Sequence, residues 1–121
     1  MRNPVWKLEE LLIVLDLYFE TDGKIRQTDP RINDISRALR KLPCNKEFLN
    51  LPKFRNESGV YKKIGNFMSS DPTYKGKGLT HGNSLEPILF KQYISRKIEL
   101  SEIVKKLKRS WIFLKTSKSE Y

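Results

Sequence analysis

Apolar residues return along this chain at three- and four-residue intervals, broken by short polar stretches rich in Pro and Gly. No segment alternates with the period of two that a half-buried strand would need. Leu8, Leu11, Leu12, Leu15 and Phe19 form one stripe over Trp6–Phe19, with Glu9, Glu10, Asp16 and Glu20 on the wetter side. Ile32, Ile35, Ala38, Leu39 and Leu42 form a second over Arg31–Leu42, ended by Pro43. A third helix is expected from Asn56, a natural N-cap, to Asp71-Pro72, where Pro disfavours the helical conformation of the residue before it. Val60, Ile64, Phe67 and Met68 are its buried side. Ser84 is expected to cap a fourth helix through Tyr93, with Leu85, Ile88, Leu89 and Tyr93 facing in. Leu100, Ile103, Val104, Leu107 and Trp111 mark a fifth. The pattern predicts an all-α domain of about five helices: a three-helix core of helix-turn-helix or Myb-like kind with helix 3 as reader, plus two C-terminal helices. Residues 1–114 are expected to form a single helical nucleic-acid-binding domain, and 115–121 a polar tail or linker.

The connectors refine this picture. Asp22-Gly23 and Asp29-Pro30 punctuate the first. The stretch Pro43–Arg55 is too long for the three- or four-residue turn of a strict helix-turn-helix. Its Phe48, Leu49, Leu51 and Phe54 predict an ordered loop folded back on the core, with a helical turn.

Charge then points to a partner. The 121 residues carry 24 Lys+Arg against 14 Asp+Glu, a formal charge of +10. Such an excess favours a polyanion, because neutralising phosphates releases counterions. No apolar run approaches membrane-spanning length, and acidic residues interrupt the N-terminal apolar stretch, so no secretory signal is expected. The single Cys44 excludes an internal disulfide and suits a reducing cytoplasm.

Within the third helix, the side opposite the stripe carries Ser58, Lys62, Gly65, Asn66 and Ser69, with Tyr61 and Lys63 on the shoulders. Small, amide and cationic side chains there suit a DNA major groove. Gly59 and Gly65 each cost a helix roughly 1 kcal/mol relative to Ala, which points to a close approach by a neighbour or a ligand. The following loop, with Lys75 and Lys77 among its glycines, is expected to lie along a phosphate backbone. Its KGKG lacks the spacing of a nucleotide-binding P-loop.

Catalytic chemistry has little to stand on. His81, the only histidine, has neither Cys nor a second His near it in sequence, so neither a metal ligand set nor a thiol–imidazole pair with Cys44 is expected. No cofactor is expected either.

WKLEELLIVLDLYF at 6–19, RNESGVYKKIGNFMSSDP at 55–72 and GKGLTHGNSLE at 76–86 occur in an order similar to the amino-terminal region of HNH-type restriction endonucleases of the McrA-like, modified-cytosine-specific kind. A weaker likeness, in Trp6 with the following EEL and a third helix set off by Arg55, is to the Myb/SANT arrangement. In the first family the amino-terminal helical part handles DNA and the His-Asn-His module lies further on. The resemblance implies target binding without catalysis by this chain, with double-stranded DNA as partner and an HNH nuclease module in cis or in trans. It implies DNA contact by Arg55, Asn56, Tyr61, Lys63 and Asn66; the helix face and loop add Ser58, Lys62, Lys75 and Lys77. A standalone regulator or phage-derived repressor of the same fold, and an adaptor whose basic face meets an acidic protein, are the competing expectations.

Overall fold

The computed structural model describes residues 3–74, 76 and 84–119, with side chains through Arg109. Lys75, Lys77 and His81 lie outside the described residues, as do the side chains of Trp111 and Leu114. Among the described residues every regular element is helical: α1 (Leu8–Thr21), α2 (Pro30–Arg40), a 3₁₀ segment (Pro43–Phe48), α3 (Glu57–Ser70), α4 (Leu85–Tyr93) and α5 (Lys97–Ser119). None of these helices is long and apolar enough to cross a membrane.

α1 is the centre of the bundle and packs against all four other α-helices. It is accordingly apolar nearly all round: Leu11, Leu12, Ile13, Val14, Leu15, Leu17 and Tyr18 are all buried. This differs from the single stripe read in the sequence, and Leu8, assigned to that stripe, is exposed. The Tyr18 ring meets Phe67 of α3 and Phe90 of α4, and Phe19 also packs on Phe90. α1, α2 and α3 touch pairwise, which makes the expected three-helix core.

The helix ends follow local chemistry. α1 stops where Asp22 (φ 52°) and Gly23 (φ 73°) turn left-handed, and the Gly23 N–H donates back to the Tyr18 carbonyl at 3.0 Å. A Cβ on Gly23 would also lie 2.8 Å from the Tyr18 ring, so this glycine is required twice over. Asp29 caps α2 by accepting from the Arg31 N–H, with Pro30 in the first turn. Asn56 caps α3 as expected, its side chain accepting from the Gly59 N–H at 2.8 Å. That bond also accounts for Gly59, whose Cβ would sit 3.2 Å from the Asn56 Oδ1. Ser84 makes no side-chain cap on α4. On α4, Phe90 is buried where Ile88 was expected and Ile88 is exposed. α5 begins earlier than its apolar spacing predicted and runs through Ser119, so residues 115–119 of the expected polar tail or linker are helical.

Side chains hold the long connector between α2 and α3. Arg40 donates to the carbonyls of Phe54 (2.5 Å) and Leu49 (3.4 Å), and the Ser36 hydroxyl donates to the Arg55 carbonyl (2.6 Å). Phe54 is fully buried, whereas Leu49 is exposed.

The Tyr18 hydroxyl donates to Asp71 at 2.7 Å, tying the end of α3 to α1. Burial, followed by the bond to Asp71, pushes the Tyr18 hydroxyl above its ordinary value of 10.0. Burial opposes ionisation of Asp71, but the bonds from Tyr18 and Thr73 outweigh it and hold that carboxyl below 3.8. Tyr18 therefore contributes stability that is whole below pH 10.0 and fades as pH rises through its folded value. The Asp71 contribution is whole above pH 3.8 and fades as pH falls through its lowered value. Tyr18→Phe is expected to cost about 1 kcal/mol at neutral pH. The deficit should shrink at both extremes, as read from urea midpoints across the pH range.

Candidate nucleic-acid interface

α3 is built on a fully buried spine. Val60, Ile64 and Phe67 have no exposed surface, so the helix cannot rotate without opening the core. Ser58, Lys62, Gly65 and Ser69 follow one another at i, i+4, i+7 and i+11 on the other side, a stripe about 16 Å long. Lys62 and Ser69 are exposed, Ser58 and Gly65 half-buried, and Tyr61 stands beside them with 37% of its surface in solvent. Neither Tyr61 nor Lys62 is engaged by another described residue through a hydrogen bond or an ion pair. Asn33 of α2 donates to Glu57 at 2.9 Å, drawing the one carboxylate of the first turn of α3 towards α2.

Three residues assigned to DNA contact are elsewhere. Arg55 is 3% exposed. Its guanidinium makes a two-bond ion pair with Glu10 (Nε–Oε2 2.7 Å, Nη2–Oε1 3.0 Å) and donates to the Pro4 and Val5 carbonyls. It also lies 4.4 Å from the centre of the Trp6 ring and 4.7 Å from that of Phe54. Glu10, expected on the wet side of α1, is fully buried. It takes a further bond from Asn45 (3.1 Å) and one from the Lys7 N–H (2.9 Å).

Lys63 is 8% exposed and pairs at 2.5 Å with Glu86 of α4, its ammonium 5.5 Å from the Trp6 ring centre. Asn66 is also 8% exposed, because the packing of α3 against α1 and α4 turns this position inward. The helical wheel placed Asn66 with Lys62, but they are four residues apart, about 40°, and that offset crosses the edge of the buried face. Asn56 spends its side-chain oxygen on the cap.

These contacts connect the quoted segments to one another. The first supplies Trp6 and Glu10, the second Arg55 and Lys63, and the third Glu86. Most of the RNxxGVYxKxxNF pattern is thus explained by folding: a buried ion pair, a cap, core side chains and a second ion pair. Tyr61 is the polar side chain of that pattern left exposed.

No family model, curated protein or solved structure matches this chain.

The outward face of α3 therefore rests on its own geometry. Ser58, Tyr61 and Lys62 supply two hydroxyls and an ammonium, groups that bind phosphate oxygens and base-edge acceptors alike. Asn33 and Glu57 were missed by sequence reasoning; 24 residues separate them, and neither lies in a motif that would signal the contact. Among the described residues, no three His, Cys, Asp or Glu side chains come together as metal ligands.

Proposed function

We propose that this chain is a DNA-binding, target-recognition domain of an HNH-type restriction system, non-catalytic itself, with α3 laid against the duplex. The observation that carries the reading is the exposed stripe of α3 around Tyr61 and Lys62, held rigid by a spine with no exposed surface. A net charge of +10 supplies the sequence-independent part of the affinity. The link to a nuclease rests on the resemblance in the order of the three segments, and a catalytic module in cis or in trans would perform the cleavage. Arg55, Lys63 and Asn66 have no part in this reading, since they are buried.

Duplex binding is expected to weaken steeply between about 50 and 200 mM salt. Lys62→Ala should lower affinity roughly tenfold; a phosphate contact would reduce the salt slope by about 1, and a base contact would change sequence preference instead. Tyr61→Phe isolates the hydroxyl. Fluorescence anisotropy on a randomised duplex pool reads all of these. Absence of binding at the lowest salt, or a Lys62→Ala variant identical to the parent in affinity, slope and preference, overturns the reading.

A further inference from the structure

On another side of the bundle, α1, α2, the 3₁₀ segment and α5 enclose a groove of about 680 Å³. Ile13, Asp16, Leu17 and Glu20 line it from α1, on a stripe about 150° round that helix from Tyr18, which faces α3. No α3 residue belongs to it. Its apolar lining comes from Ile13, Leu17, Ile35, Leu42 and Leu49, the last 42% exposed at the mouth.

Among the described residues the charges around this floor are unequal: six cations against three acids. Of the acids, Glu20 is already paired with Arg31, and Asp16 lies in the field of Lys108. Of the cations, Arg31 is held by Asp29 and Glu20, and Arg40 by the carbonyls of Phe54 and Leu49. Arg37 and Lys46 are exposed and make no hydrogen bond or ion pair with the described residues.

We propose that this groove docks an acidic amphipathic helix of a protein partner. Apolar residues of that helix at i, i+3, i+4 and i+7 would seat on Ile35, Leu42 and Leu49, and its flanking carboxylates would meet Arg37 and Lys46. Charge complementarity selects this occupant. A nucleic-acid backbone would leave the apolar floor unused. A basic or neutral helix would leave both unpaired cations unanswered. The inference does not depend on DNA binding by α3.

The probe is a fluorescein-labelled helical peptide of about 18 residues with Leu at those spacings and Glu between them, alongside a sister peptide with Lys in place of every Glu. By fluorescence polarisation on the whole chain, the Glu peptide should bind and the Lys peptide should bind at least about tenfold more weakly. Arg37→Glu with Lys46→Glu should weaken the Glu peptide by at least about tenfold. The same double variant should keep the parental circular dichroism, while Lys62→Ala should leave the peptide unaffected. Leu49→Glu, which spares both cations, should also weaken it, and methyl shifts of Ile35 and Leu42 on titration would place the peptide. Five results overturn the proposal: no binding, equal binding of the two peptides, indifference to the double variant, displacement of the peptide by dodecanoate, or its displacement by self-association of the chain.

Discussion

Arg55→Met is expected to cost about 3–5 kcal/mol of folding stability, the range for breaking one side of a buried ion pair. A domain of ordinary stability has about 5–15 kcal/mol in total, so the loss would be a large fraction of what holds the fold. The size follows from what is left behind. Glu10 has no exposed surface and would keep its carboxylate with only the Asn45 amide and the Lys7 N–H as donors. The Pro4 and Val5 carbonyls would lose their donors too, loosening the segment that carries Trp6. Arg55→Lys should recover little, because an ammonium cannot present a planar fork to the carboxylate and reach two carbonyls as well. Glu10→Leu combined with Arg55→Met should recover most of the loss, since the unpaired charge is then gone. Equilibrium urea unfolding of the parent, Arg55→Met, Glu10→Leu and the double variant gives the coupling energy. A loss below about 1 kcal/mol, the scale of exposed pairs, would mean that the pair is not as enclosed as described.

The second large effect concerns Lys63 and Glu86, and here the two single variants should differ. Lys63→Met strands a carboxylate that is 1% exposed and whose Oε2 accepts no hydrogen bond even in the intact protein. About 3 kcal/mol should be lost. Glu86→Leu removes that carboxylate altogether and leaves an ammonium nearer to water, 8% exposed and still beside the Trp6 ring. Its cost should be roughly half. The double variant should equal or exceed the parent in stability, as apolar replacements of buried pairs often do. Unfolding midpoints of the three variants decide this; equal losses in the two singles would show that Lys63 is as enclosed as Glu86.

Both predictions bear on how the most distinctive stretch of the chain is understood. A run of Arg, Asn, Lys and Asn on one helix reads as a nucleic-acid face in one dimension. In three, Arg55 and Lys63 are the bolts that join α3 to α1 and α4, and Asn56 is a cap. The proposed recognition face is narrower and would consist of Ser58, Tyr61 and Lys62, with Ser69 further along the helix.

The spacing of apolar residues, with the residue types at the breaks, was enough to determine five α-helices, the N-cap at Asn56, the stop at Pro72 and an ordered connector before α3. These depend on interactions within a few residues, where spacing and side-chain type decide the outcome. Tertiary structure alone decided which polar residues are inside. Glu10 and Arg55 are 45 positions apart, and Lys63 and Glu86 are 23 apart. Each of these side chains, taken singly, has the chemistry of a solvated surface. Their burial becomes tolerable only when the partner arrives from another helix, and no local pattern records that meeting. For the same reason the many-sided burial of α1 and the groove beside α2 emerged only on folding: both are products of how helices pack, which depends on contacts far apart in the chain.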